Sequence, residues 1–137
     1  SERSRGLGDV YKRQIVNTAL LYLHSPYLWG GKTPFGIDCS GFTQMVYKIN
    51  GYKILRDAKD QATQGVTLSF IEESEPGDLA FFHNDNDEII HVGIILKDNH
   101  IIHASGKVRI DRLDQSGIYN NEKNKHTHSL RYIKKII

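Results

Sequence analysis

The residues best equipped for chemistry in this chain are one cysteine and two histidines. Cys39 is the only cysteine of 137 residues, and it lies in Gly36-Ile37-Asp38-Cys39-Ser40-Gly41-Phe42, a glycine-flanked turn that opens into a helical pattern. Phe42, Met45, Val46 and Ile49 recur at helical spacing and Gly51 ends the run, which puts Cys39 in the first turn of that helix. The position matters because a thiol attacks as its thiolate. Backbone N–H groups without partners, and the positive end of the helix dipole, favour that anion. Asp38 has the side chain of an N-cap, able to accept from N–H groups one or two residues into the helix, while Gly36 and Gly41 keep the approach free of bulk. The competing reading is a cysteine packed as a small buried hydrophobe. Partners decide between the two.

Candidate partners lie in Ile89-Ile90-His91-Val92-Gly93-Ile94-Ile95-Leu96 and His100-Ile101-Ile102-His103-Ala104, two β-branched strands joined by Lys97-Asp98-Asn99. Side chains alternate along a strand, so His91, Gly93 and Ile95 share one face. A two-residue turn would send His91 and His103 to opposite faces. A three-residue loop over 97–99, with Asn99 in the left-handed region, pairs Leu96 with His100 and Gly93 with His103 and makes the histidines diagonal neighbours. That register also collects Val92, Ile94, Ile102 and Ala104 on one apolar face, so it is the one the pattern prefers. Two imidazoles in an apolar hairpin need hydrogen-bond partners, as satisfied core residues or as part of a site. A zinc site from Cys39, His91 and His103 is a further alternative, but no ligand pair occurs at short helical spacing and a thiol at a helix start suits a nucleophile better. His24, His83, His100, His126 and His128 fall in turns, strand ends or polar segments and are assigned no chemistry.

The elements that must position these groups come helices first and sheet second. Ile15, Val16, Ala19, Leu20 and Leu23 make an apolar stripe of period 3.6, which predicts an amphipathic helix over 15–24 ended by Ser25-Pro26. Trp29 beside Gly30-Gly31 reads as a core plug at a tight loop, and the Tyr27 hydroxyl is close enough in sequence to share a cleft with Cys39. Glu75-Pro76-Gly77-Asp78 is a turn that launches Leu79-Ala80-Phe81-Phe82, a short buried strand. A further strand is expected near 108–110, a long polar surface loop over 111–127 and a closing strand over 130–136. Residues 1–14 have several arginines and no apolar periodicity. They resemble translated adaptor sequence and are expected to be a non-native or disordered leader, with the domain proper spanning 15–137. The 18 basic and 16 acidic residues are interspersed, for a net charge of +2, so no face is built to follow nucleic acid, and the apolar runs are too short for a membrane span.

Several of these stretches together resemble the NlpC-type cysteine peptidases of bacterial cell-wall metabolism. The matching pieces are Pro26-Tyr27-Leu28-Trp29-Gly30-Gly31, Asp38-Cys39-Ser40-Gly41-Phe42, Arg56 with Gln61, Pro76-Gly77-Asp78-Leu79 with Phe81-Phe82, His91-Val92-Gly93-Ile94 and Ile102-His103-Ala104. The resemblance covers about residues 15–110. It implies an α+β, papain-like fold with N-terminal helices packed on an antiparallel sheet, and hydrolysis of peptidoglycan stem peptides or muropeptide fragments at the bond between γ-D-glutamate and a diamino acid. By the same resemblance Cys39 matches the nucleophile, His91 the general base, His103 the residue that orients it and Tyr27 a tyrosine beside the nucleophile. Asp38 matches an aspartate that holds the substrate's free amine, and Ser40 and Arg56 are expected to line the substrate pocket. Leu55 and Ala58 depart from the pattern, which often has proline and a small hydroxyl residue there.

This chemistry needs no metal or cofactor. The implied location is periplasmic, cell-envelope or secreted, and relatives demanding a free amine carry a Src-homology-3-like domain upstream, so the expectation includes an upstream wall-binding domain outside the given sequence. Two alternatives use the same features: a thiol amidase or acyltransferase on this scaffold, since the triad does not encode the acyl group, and a non-catalytic wall-binding module.

Overall fold

The computed structural model describes residues 2–23 and 38–137, with side chains from Val10 onward; Tyr27, Trp29 and Gly36 lie outside the described residues. Helices α1 (Glu2–Leu21), α2 (Cys39–Ile49) and α3 (Ala58–Gln61) precede the strands, which are β1 (Val66–Leu68), β2 (Leu79–His83), β3 (Ile89–Leu96), β4 (His100–Ser105), β5 (Lys107–Asp114), β6 (Gly117–Asn120) and β7 (Lys125–Lys135). A 3-10 turn, Ile71–Glu73, lies between β1 and β2. All strand pairings are antiparallel. Strands β2 to β6 neighbour one another in chain order, and β7 returns to pair with both β6 and β2. That return closes the sheet into a six-membered ring, with β1 added along β7.

Closure gives the sheet two apolar faces, and the residues divide between them by alternation. Leu79, Phe81, Val92, Ile94, Ile102, Ala104 and Val108 face outward onto Ile15 and Ala19 of α1 and Phe42, Val46 and Tyr47 of α2. Ala80, Phe82, Ile95, Ile101, Leu113, Ile118 and Ile133 face inward and fill the ring. A strand covered on both sides reads as an unbroken apolar run, which is why Leu79-Ala80-Phe81-Phe82 shows no alternation although all four are buried. Each fully buried Phe or Leu contributes roughly 1.5–3 kcal/mol. The Tyr47 hydroxyl donates to the Gly77 carbonyl and ties α2 to the turn that starts β2.

The hairpin that carries the histidines has the expected register, Leu96 opposite His100, Ile95 opposite Ile101 and Ile94 opposite Ile102. Its loop places both Asp98 and Asn99 at φ 59. Two expectations differ from the structure. The helix expected over 15–24 begins at Glu2, and the residues read as a disordered leader are helical from there on. Lys12 is buried, its ammonium 3.1 Å from the Asp78 carboxylate and 3.3 Å from that of Glu75. The attachment is ionic, so apolar periodicity could not signal it. Likewise, the expected polar loop over 111–127 is the end of β5, all of β6 and the start of β7. Only Leu113 and Ile118 anchor that stretch in the ring, and its tight turns are made by Asp114, which accepts from the N–H groups of Ser116 and Gly117, and Asn120, which accepts from Glu122 and Lys123.

Candidate active site

The site begins at the first turn of α2. Asp38 is the N-cap, with extended backbone, and its Oδ1 accepts from the Gly41 N–H at 2.6 Å. A side chain at Gly41 would have its Cβ 2.7 Å from that same oxygen, so glycine is what lets the cap close. Arg56 grips the other side of the carboxylate, Nη2 to Oδ2 at 2.6 Å and Nη1 to Oδ1 at 3.1 Å, and Nη1 also donates to the Ser40 hydroxyl at 3.0 Å. The expected pocket residues Asp38, Ser40 and Arg56 are thus one hydrogen-bonded cluster flanking Cys39. The Arg56 bonds, and then the Gly41 N–H, hold the Asp38 carboxyl below its ordinary value against partial burial.

Gln61, fully buried, fixes the loop that carries Arg56 to the start of α2. Its amide donates to the carbonyls of Ser40 (3.0 Å) and Leu55 (2.8 Å) and accepts from the Thr43 hydroxyl (2.8 Å). The departure at Leu55 has a local explanation: its N–H donates to Gln64 Oε1 at 2.8 Å, a bond proline could not make. Ala58 is buried in the core, the first residue of α3.

Cys39 is partly buried, its Sγ 4.0 Å from the carbonyl oxygen of Ile90, the residue before His91. Burial pushes the thiol above its ordinary value; the N–H of Val92 pulls it down and the Asp38 carboxylate pushes it up again. Desolvation therefore outweighs the pull of the helix start toward the anion.

The histidines meet as the register predicts. His91 Nε2 lies 2.8 Å from His103 Nδ1, with both rings buried. A Cβ on Gly93 would lie 2.9 Å from the His103 Cβ, so the approach of the two rings depends on that glycine. His103 Nε2 is 2.7 Å from Asp111 Oδ2, and Arg109 clamps the same carboxylate with Nε at 2.8 Å and Nη2 at 3.0 Å. The hydrogen bonds from His103 and Arg109 carry Asp111 down to about 2 despite its burial. His128 stacks on His91, centroids 4.3 Å apart and planes 27° apart. Burial, then the neighbouring His103 and more weakly Lys123, lower His128 to about 4 against the opposing pull of the Asp111 carboxylate. His91 itself is held well below its ordinary value by burial, with His103 and His128 adding.

Both shifts favour the uncharged forms, a thiol at the start of α2 and, on the adjoining strand, an imidazole whose Nε2 is engaged, an arrangement suited to general-base activation of sulfur. Because His91 Nε2 and His103 Nδ1 are spent on each other, these two nitrogens do not converge as metal ligands. Among the described residues no group of three His, Cys, Asp or Glu side chains could hold a metal ion. Sequence reasoning missed Asp111, Arg109 and His128. The only local signal was the two-residue spacing of Arg109 and Asp111 after Val108, which a strand continued through 111 would have put on one face.

A thiol at a helix start, set against a buried imidazole relay on a closed antiparallel sheet, defines a domain of the thiol-catalyst class. Residues 24–129 match the NlpC/P60 family, and the chain belongs to it. It is 38% identical over 108 residues to dipeptidyl-peptidase 6 of Lysinibacillus sphaericus, covering 77% of this chain and 38% of that protein. It is 41% identical over 92 residues to the gamma-D-glutamyl-L-lysine dipeptidyl-peptidase of Bacillus subtilis (strain 168), covering 66% of this chain and 31% of that one. A crystal structure of an NlpC/P60 family protein from Bacillus cereus ATCC 10987 superposes with a TM-score of 0.71 at 30% identity, over 91% of this chain and 40% of the other. The chain spans about a third of the length of the curated relatives it matches.

Proposed function

We propose that this domain is a cysteine peptidase that hydrolyses peptidoglycan stem peptides at the γ-D-glutamyl-diamino acid bond, on a papain-like arrangement of helix start and sheet. The observation that carries the reading is the 2.8 Å hydrogen bond between His91, on the strand that meets Cys39, and His103 on the next strand. The substrate class comes from relatives named for the γ-D-glutamyl-L-lysine bond.

His91 Nδ1 takes the Cys39 proton as Sγ attacks the γ-glutamyl carbonyl carbon. The oxyanion forms near the unpartnered N–H groups at the start of α2, with the Tyr27 hydroxyl as a further donor. The protonated His91 then gives its proton to the leaving amine of the diamino acid, and the carbonyl reforms as a thioester. Water, deprotonated by the same nitrogen, releases the acid and restores the thiol. Asp38, flanked by Ser40 and Arg56, receives the free amine of the L-alanine end. The site of action is the cell wall, in the periplasm, envelope or exterior. Among the described residues no helix is long and apolar enough to cross a membrane.

The test is incubation of the protein and of Cys39→Ala with L-Ala-γ-D-Glu-L-Lys and its diaminopimelate counterpart, read by mass spectrometry. Release of L-Ala-γ-D-Glu by the parent alone is expected. Equal spectra for both proteins would overturn the assignment, and transfer of the acyl group to an added amine without hydrolysis would favour the acyltransferase alternative.

A further inference from the structure

Beyond Cys39, His91 and His103, the inward face of the ring holds two charged groups that the proposed chemistry has not used. Asp111 is 7% exposed, on a strand whose neighbouring outward residues face solvent or the helices. A carboxylate so placed needs strong partners, and it has three bonds: His103 Nε2 at 2.7 Å, Arg109 Nε at 2.8 Å and Arg109 Nη2 at 3.0 Å. We infer that Asp111, locked by Arg109, is a positioning residue that sets the proton pattern of the whole relay, so that His91 presents a lone pair and not an N–H to Cys39. The inference rests on the roles proposed above for Cys39 and His91.

The argument is one of donors and acceptors. Arg109 offers only N–H groups, so both carboxylate oxygens of Asp111 are acceptors, and Oδ2 can meet His103 only if Nε2 carries the proton. A neutral His103 protonated at Nε2 has a lone pair at Nδ1. At 2.8 Å that lone pair must be met by a proton on His91 Nε2. Neutral His91 is then bare at Nδ1, the nitrogen left to receive the thiol proton. Each link passes its constraint to the next, and the chain of constraints starts at the fixed fork of Arg109. Charge plays a smaller part, because Arg109 offsets Asp111 and Glu122 lies 3.9 Å from the Arg109 guanidinium. The other titratable or charged groups around the relay are His128 and Lys123 from the β7 side and Cys39 and Asp38 from α2.

The bond pattern sets what the variants must do. Oδ2 accepts from both His103 Nε2 and Arg109 Nε, while Oδ1 accepts only from Arg109 Nη2. In Asp111→Asn the amide oxygen in the Oδ2 position still serves both donors, and only the Arg109 Nη2 bond is lost to the amide NH₂, so the proton pattern of the relay is kept. Asp111→Leu removes the acceptor altogether: nothing then holds the proton on His103 Nε2, and in part of the molecules His91 Nδ1 becomes an N–H facing the thiol. Arg109→Leu alone leaves the carboxylate as acceptor.

The experiment combines hydrolysis of L-Ala-γ-D-Glu-L-Lys with nitrogen NMR of imidazole-labelled protein, which reports which ring nitrogen bears the proton. Expected are His91 and His103 protonated at Nε2 in the parent and in Asp111→Asn, and a mixture with Nδ1-protonated rings in Asp111→Leu. In Asp111→Leu kcat falls at least about 10-fold with KM unchanged, while Asp111→Asn and Arg109→Leu each lose less than that. Equal losses in Asp111→Asn and Asp111→Leu, the parent's proton pattern persisting in Asp111→Leu, or His103 protonated at Nδ1 in the neutral parent would each overturn the inference. Should the parent fail to cleave the peptide, the proposed function fails, and the NMR patterns of parent, Asp111→Asn and Asp111→Leu still decide this inference.

Discussion

Replacing Gly93 with alanine puts one methyl group into the narrowest part of the relay. The new Cβ would lie 2.7 Å from Ile101 Cδ1, 2.9 Å from Ile101 Cγ1 and 2.9 Å from His103 Cβ. Ordinary contact starts near 3.4 Å, so His103 must give by about half an ångström, and Ile101, which has no exposure, by somewhat more. Overpacking of this size costs about 1–3 kcal/mol. For a domain of this length that lowers Tm by about 4 °C per kcal/mol. Activity should suffer more than stability, because moving His103 lengthens its bond to His91: a misplacement of this order costs about 10-fold to 100-fold in kcat. The two effects can be separated by adding Ile101→Val, which removes Cδ1, the nearest clashing atom, and leaves the His103 contact in place. The double variant should regain part of the lost Tm and little of the lost kcat. Thermal melts and peptide hydrolysis measured on the parent, Gly93→Ala and the double variant make the comparison. Full activity in Gly93→Ala, or activity and Tm recovering together in the double variant, would refute the claim that Gly93 serves the His91–His103 approach.

Two further outcomes follow from charges around the site. His128, at about 4 in the folded protein, takes a proton more readily when unfolded, so stability falls as pH drops from about 6.5 to about 4, and the depressed His91 acts in the same direction. His128→Phe keeps a flat ring against His91 and removes one of these titrations; its urea midpoint should lose less than the parent's between pH 7 and pH 4.5, and parallel losses would show that His128 is not a source. At the helix start, Asp38→Ser retains a capping oxygen and removes the charge, so stability should stay within about 1 kcal/mol, since cap replacement among good caps and exposed ion pairs each count for little. KM for a peptide with a free L-alanine amine should rise about 10-fold while that for its N-acetylated form stays put; an equal change in both would remove Asp38 from amine recognition.

Much of the site could be read from short stretches of chain. Asp38, Cys39 and Gly41 are neighbours, and cap, thiol and free approach follow from their order alone. The register of His91 against His103 follows from counting residues between two strands and asking which count keeps Val92, Ile94, Ile102 and Ala104 together. Arg56 comes to the pocket by resemblance alone; its hydrogen bonds to Ser40 and Asp38 join residues 16 and 18 positions apart, which no local pattern signals. By contrast, the stretch over 111–127 reads as a polar loop because its strands bury few apolar residues. The helical residues before Ile15 were set aside because Lys12 is held by Asp78 and Glu75, across 66 and 63 positions of sequence, and not by an apolar stripe.

The sequence by itself determined the helix start under Cys39, the three-residue loop over 97–99 and the common face of the two histidines, because these depend on backbone sterics and on residues a few positions apart. Only the tertiary structure decided that β7 closes the ring, that Asp111 and Arg109 lie beside His103, that His128 covers His91, and that burial pushes the Cys39 thiol up. Those properties come from segments brought together across the chain and from the desolvation of groups in an assembled interior, where burial outweighs the local pull of a helix dipole.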